Sequence, residues 1–250
     1  MYNQERLAAR VMNGIIQNMS ANVKELIILF DGCIDTTEEI VKGIVGNTCK
    51  IPTKFLYAGN VNEVIANNLT FRAASYPYIM TVQDDCQILE KDFDKRMLKP
   101  FLQVSDLLGV TGRNAQNEKI VDETIHCFDV FGKDVDSPRN TLGIRDIIVR
   151  TPILFDHQKL ETLDYLDEEF APIDCDDKDI GFRAYKKKGW LVGAYVINYD
   201  SPASWGKTRN NPVSHDIWVA STTKNVKIII ERYRDLLEGK KHNLNIIIKE

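Results

Sequence analysis

Residues 78–82 read Tyr-Ile-Met-Thr-Val and lead through Gln83 into two adjacent carboxylates, Asp84 and Asp85. An apolar, partly β-branched run of this length predicts a strand buried on both faces. Such a strand cannot solvate a charge, so the aspartates fall just past its end. That is the carboxyl edge of an open α/β sheet, where functional groups gather. Two neighbouring carboxylates repel one another unless a cation lies against them. Mg²⁺ or Mn²⁺ holding a diphosphate suits the place, because such ions take one or two carboxylates plus phosphate oxygens. The rival reading is a strand ending in an Asp-rich turn.

Upstream, helix and strand alternate. Leu7, Val11, Ile15 and Ile16 give residues 5–18 a helical spacing. Residues 25–30 form a short apolar strand ending in an Asp, Gly and Thr-rich turn, where Thr36 or Thr37 can cap a helix over 38–45. A strand over 54–57 and a helix over 62–74 follow. This order implies a mostly parallel sheet with crossover helices. Downstream, residues 107–111 read as a strand, 112–142 as loop with hairpin pieces and 144–154 as a β-branched strand. A helix over 157–165 follows. The helix over 177–188 is stopped by Gly189, a glycine C-cap. Then come a strand over 190–197, a loop over 201–215 and a helix over 227–237. Ile246, Ile247 and Ile248 suggest a buried strand, or else an edge strand or contact surface. No linker divides the chain, so it reads as one domain. Its parts are residues 1–110, 111–205 and a helical extension over 206–250.

A second acidic cluster, Asp174, Asp176, Asp177 and Asp179, crowds the start of the 177–188 helix. Acids there favour the helix dipole, and Asp179 can pair with Arg183 one turn on. Capping needs one or two acids, not four, so a carboxylate here could instead be a general base beside a sugar hydroxyl. Lys186, Lys187 and Lys188 at the far end fit dipole compensation.

The bulk properties exclude several classes. A net charge of −4 without a basic run argues against a nucleic-acid partner. Five scattered cysteines without a Cys-x-x-Cys pair suit a reducing compartment. Four histidines lack the His-Glu-x-x-His spacing of a zinc protease. There is no transmembrane run and no signal peptide. The expected location is cytoplasmic, with peripheral membrane association left open.

Four segments, in order, resemble the motifs of family 2 glycosyltransferases with the GT-A fold. They are Tyr2-Asn3-Gln4-Glu5, the 30–37 loop containing Asp31, Gln83-Asp84-Asp85, and 176–183 with Gly189 after it. The resemblance spans roughly residues 2–200 and implies a Rossmann-like α/β fold. It implies transfer of a sugar from a nucleotide-diphosphate sugar, with UDP-sugars the favoured class, to a glycan, lipid-linked or protein acceptor, with inversion. By position, Tyr2 would pack on the nucleobase, Asp31 would bond its edge and Asp84 would lie near ribose and diphosphate. Asp85 would bind Mg²⁺ or Mn²⁺, and Asp177 would take the acceptor proton. The late metal-site histidine has Asp200 and His215 as candidates.

The chain departs from the pattern at Phe30 and Gln83, each standing where the family carries an acid. The family's first strand has no counterpart ahead of Tyr2. That implies either a record beginning at an internal methionine or a damaged donor site. A catalytically inactive relative that binds a nucleotide sugar or a protein is therefore the alternative. A sugar-phosphate nucleotidyltransferase would need a glycine-rich N-terminal loop with a basic residue, which the sequence lacks.

Overall fold

The computed structural model describes residues 1–149, 151–206 and 212–249. The first third follows the expected alternation: α1 (Ala8–Asn18), β1 (Leu26–Asp31), α2 (Thr37–Thr48), β2 (Thr53–Ala58), α3 (Asn62–Ala73) and β3 (Tyr78–Thr81). Apolar residues at helical spacing bury Ala8 and Met12 of α1 against Ile28 and Phe30 of β1. β1 and β2 pair in parallel across the α2 crossover, Leu26 opposite Thr53.

The rest of the chain reverses direction often. β4 (Gln87–Ile88), α4 (Phe93–Leu98) and β5 (Leu107–Thr111) lead into a long hairpin, β6 (Asn114–Val121) and β7 (Thr124–Gly132). Three short strands follow: β8 (Thr141–Arg145), β9 (Ile147–Val149) and β10 (Ile153–Asp156). After them come α5 (His157–Thr162), α6 (Asp176–Lys188), β11 (Leu191–Ala194), β12 (Tyr199–Asp200), α7 (Pro212–Glu238) and β13 (Leu244–Ile247).

Among the described residues, the largest sheet has the order β13-β8-β11-β5-β10-β3. Only β11 and β5 pair in parallel there; every other neighbour is antiparallel. The α/β architecture with flanking helices is as expected, but the mostly parallel sheet is not. β10 runs against both β5 and β3, and β8 against both β11 and β13, so the chain enters this sheet by reversals and not by crossovers.

Several local expectations also change. Residues 112–142 are dominated by the β6–β7 hairpin. The 144–154 run is divided among three strands in two sheets. α7 begins at Pro212, well before residue 227, and a 3₁₀ turn occupies Ala203–Trp205. Thr36 precedes α2 without a side-chain cap; Asp35 Oδ1 accepts the Thr37 N–H at 3.1 Å instead. Gly189 does cap α6, with φ +68° and its N–H on the Tyr185 carbonyl at 2.8 Å. β13 is an edge strand whose Leu244 and Ile247 are exposed, while Ile248 beyond it is buried. Residues 206–250 are thus not helical throughout; their last strand joins the main sheet.

β3 is only half-buried, not enclosed on both faces. It pairs with β10 on one edge, and among the described residues no strand pairs with its other edge. No helix among the described residues is long and apolar enough to cross a membrane.

Candidate functional site

The carboxyl ends of β1 and β3 converge on the first residues of the chain. Asp31 ends β1, and Gly32 follows with φ +70°. A Cβ on Gly32 would meet Asn60 N at 2.9 Å, so the turn requires glycine. The close approach lets Asp31 accept the N–H groups of Val61 at 2.7 Å and Asn62 at 2.9 Å. The buried carboxylate thereby satisfies the first turn of α3, which has no cap of its own. The residue expected at a base edge therefore also fixes the loop beside it.

Residues 2–5 are stitched between two loops. Tyr2 N–H donates to Asp84 Oδ2 at 2.8 Å, and Gln4 N–H to Thr37 Oγ1 at 2.7 Å. The Ile34 N–H donates to Asn3 Oδ1 at 2.8 Å. Past β3, the Gln83 N–H donates to Thr151 Oγ1 at 3.1 Å, and its side-chain amide bonds the Glu63 carboxylate. Gln83 is thus an anchor tying the Asp84–Asp85 turn to α3 and to residue 151.

Tyr2, Asp31, Asp84 and Asp85 line part of one cavity of about 710 Å³ that also reaches Glu25 and Tyr76. Ser201, Pro202, Ala203 and Gly206 also line it, and a Cβ on Gly206 would lie 3.3 Å from Asp85 Oδ2. Trp218 of α7 lines the same cavity, and His215 stacks obliquely on it with ring centres 5.5 Å apart. Asp200 lies beside Lys133, whose ammonium is 3.7 Å from the Tyr199 ring centre. Burial draws Lys133 below the usual lysine range, against the pull of Asp200. Cys86, directly after Asp85, is buried; burial and then Asp85 push its thiol up to about 12. It is therefore not a thiolate near neutral pH.

Asp177 stands apart from that group. With Asp176 it lines a small adjoining pocket. Glu63, Asn67, Phe71 and Thr81 line both spaces, so the two adjoin, and Asp177 lines only the smaller one. Next to it, Lys178 pairs with the buried Glu118. Burial opposes the Lys178 charge, yet Glu118 and Asp177 together hold it above the ordinary lysine value. Asp179 has a different task. Fully buried, it accepts from Arg183 Nε at 2.8 Å and from the Tyr233 hydroxyl at 2.6 Å. The i,i+4 pairing expected of it is present.

Glu63, Arg113 and Trp218 are among the cavity residues that were not anticipated. Arg113 stands just past the end of β5, a strand-end position at which sequence could have flagged it. It pairs with Asp134 at 3.5 Å, and its buried Nε has no hydrogen-bond partner among the described residues. Glu63 and Trp218 lie on helices and carry no motif.

Comparison with known proteins gives this arrangement a context. Residues 1–145 match the family model described as glycosyl transferase family 2. No curated protein sequence matches the chain. Among solved structures, TarS of S. aureus is 15% identical with a TM-score of 0.55, covering 82% of this chain and 36% of TarS. The mannosyltransferase PcManGT of Pyrobaculum calidifontis, solved with GDP-Man and Mn²⁺, is 12% identical with a TM-score of 0.56. It covers 94% of this chain and 67% of its own. GalNAc-T7, solved with UDP, GalNAc and Mn²⁺, is 10% identical with a TM-score of 0.63, over 93% of this chain and 47% of its own. The chain spans about a third of TarS and about half of GalNAc-T7. At such identities the likeness concerns the fold, and the fold is the GT-A type expected from the sequence.

Proposed function

We propose that this chain, which belongs to glycosyl transferase family 2, moves a sugar from a nucleotide-diphosphate sugar to an acceptor hydroxyl with inversion. The observation that carries this is the convergence of Tyr2, Asp31, Asp84 and Asp85 on one cavity at the carboxyl ends of β1 and β3. Tyr2 stacks on the base, and Asp31, already holding the 60–62 loop, bonds the base edge. Asp84 stands at the ribose and diphosphate. Mn²⁺ in the mannosyltransferase and in GalNAc-T7, with GDP-Man and UDP respectively, supports a donor of the same class here.

The donor set suits a hard divalent ion. Among the described residues no cluster of three or more His, Cys, Asp or Glu side chains could hold a metal. Asp85 would thus hold Mg²⁺ or Mn²⁺ with one protein carboxylate, the remaining positions going to diphosphate oxygens and water. Such an ion, when bound, offsets the charge that develops on the departing diphosphate. Arg113 lines the same cavity and would oppose that charge from the protein side. Asp177, in the adjoining pocket that shares Glu63 and Thr81 with the donor cavity, accepts the proton of the attacking hydroxyl. The hydroxyl enters on the face opposite the diphosphate, which inverts the anomeric centre. The acceptor is a glycan, a lipid-linked sugar or a protein.

Melting curves with UDP, GDP and their sugars, with and without Mn²⁺, test the donor site, because a ligand of the folded state raises the melting temperature. One nucleotide should give a metal-dependent rise that Asp85→Ala abolishes. No rise with any nucleotide would overturn the reading. A rise without donor hydrolysis or transfer would favour the inactive relative, a reading supported by Gln83, which is committed to Glu63.

A further inference from the structure

An inverting transfer sets the attacking oxygen and the departing oxygen on opposite faces of the anomeric carbon. Under the donor-site reading proposed above, on which this inference rests, the diphosphate lies at Asp84 and Asp85 and the attacking hydroxyl at Asp177. The sugar ring therefore occupies the place where the two spaces adjoin. Glu63, Asn67, Phe71 and Thr81 line both spaces there, and of these four only Glu63 is charged.

The sequence builds this corner from α3. Residues 63, 67 and 71 recur at every fourth position, so they share one face of the helix. The start of the helix is held by Asp31, which accepts from Val61 N–H at 2.7 Å and Asn62 N–H at 2.9 Å. Glu63, in the first turn, is thus placed by the residue that ends β1. It is half-buried.

The carboxylate is then fixed from the β3 side. Thr151 Oγ1 donates to Gln83 Oε1 at 3.3 Å, which leaves the amide nitrogen of Gln83 to bond Glu63 Oε1. Gln83 stands where the family motif carries an acid. An acid there would repel Glu63, whereas the amide donates to it. The amide at 83 and the carboxylate at 63 thus form a matched pair. A carboxylate offers about four acceptor sites and no donor, and the bond to Gln83 takes one of them. Sugar hydroxyls are donors, and a bond from a hydroxyl to an ionised oxygen is about twice as strong as a neutral one.

We propose that Glu63 accepts a hydrogen bond from a hydroxyl of the donor sugar and so selects against donors that lack that hydroxyl. Asn67, one turn further along α3, presents its amide to the same ring. The sugar is then recognised by α3, separately from the nucleotide, which Tyr2, Asp31 and Asp84 hold.

The test is calorimetric titration of the intact chain in Mn²⁺ with UDP, UDP-glucose, UDP-galactose, UDP-N-acetylglucosamine, GDP and GDP-mannose. At least one sugar nucleotide should bind about tenfold or more tightly than its own nucleotide, as a bond to a charged acceptor gives. Glu63→Gln keeps the shape and an oxygen for the Gln83 amide. It should erase that increment and leave the affinity for the bare nucleotide within about twofold. Among monodeoxy analogues of the preferred sugar nucleotide, one should bind the parent about tenfold more weakly, yet bind the variant as well as the full sugar does. The inference is overturned if Glu63→Gln keeps the increment, or if no analogue shows this coupling. It is also overturned if the variant loses bare nucleotide by the same factor, which would put Glu63 on the ribose or the diphosphate. Sugar nucleotides that bind no more tightly than their nucleotides would overturn it while leaving the nucleotide site standing. A parent that binds no nucleotide would overturn the donor-site reading itself, and this inference with it.

Discussion

At the scale of single residues, neighbouring acids on one helix do unlike work. Asp177 and Asp179 both lie in the first turn of α6. Asp177 borders open space beside Lys178, while Asp179 is sealed between Arg183 and Tyr233. Asp177→Asn keeps the shape and removes the proposed proton acceptor. It should lower kcat by roughly 10²–10⁴-fold, the usual worth of a general base, while the Mn²⁺-dependent nucleotide shift persists. A kcat within a factor of two of the parent would remove Asp177 from the mechanism. Asp179→Asn should instead leave the Arg183 charge uncompensated in the interior and lower stability by about 3–5 kcal/mol. Urea denaturation reads that loss directly. The strand-end acids were legible because the chain marks them twice, with an apolar run and a following turn. Glu63 and Trp218 were not legible, since their importance depends on which helix face meets the cavity.

At the scale of elements, α7 shows how a site loop is held from a distance. Asn225 is fully buried and donates to the carbonyls of Phe170, Ile173 and Asp174, fixing the loop that presents α6. Arg232 reaches the same loop, with Nη1 2.7 Å from Asp167 Oδ2. Partial burial opposes the Asp167 charge, but the Glu169 N–H and Arg232 outweigh it and hold the carboxyl below its ordinary value. A carboxyl depressed in the folded state stabilises above its unfolded pKa, and that stability is lost as pH falls through the folded value. Arg232→Met should therefore lower the melting temperature at pH 7. It should also make the fall in stability below about pH 4 shallower than in the parent. Parallel melting curves from pH 7 to pH 3 check this; an unchanged acid slope would mean that Arg232 does not set the Asp167 charge. The polar inward face of α7 explains why its start escaped the sequence reading: Ser221 and Asn225 are buried where an apolar stripe was sought. The 144–154 run misled for the opposite reason. It is rich in β-branched residues, but Arg145 turns to Asp129 and Asp146 to Lys241, and the strand breaks there. Strand sense is set by such breaks and by turn length, which periodicity does not report.

At the scale of the whole molecule, the gap between β1 and β3 divides the protein into layers of unequal cohesion. The N-terminal layer has its own apolar cluster, with Met12, Ile28, Phe30 and Val41 at its centre. Several polar contacts tie it to the rest: Tyr2 to Asp84, Ser75 to Glu25, Ser20 to Asp94 at 2.8 Å, and Asp31 to the start of α3. Each contact of this kind is worth about 0.5–1.5 kcal/mol net, and among the described residues no ladder connects β1 to β3. β5, by contrast, is fully buried and paired on both edges. Native-state hydrogen exchange should therefore find the Ile28 amide, which faces β2, opening at a lower free energy than Val110 of β5. The opening at Ile28 should also show a weaker dependence on urea, because less surface is exposed. Equal free energies and equal urea slopes at the two amides would mean that the layers unfold together and that the polar contacts suffice. If they differ, the cavity lined by Asp84 and Asp85 lies on the seam of least cohesion.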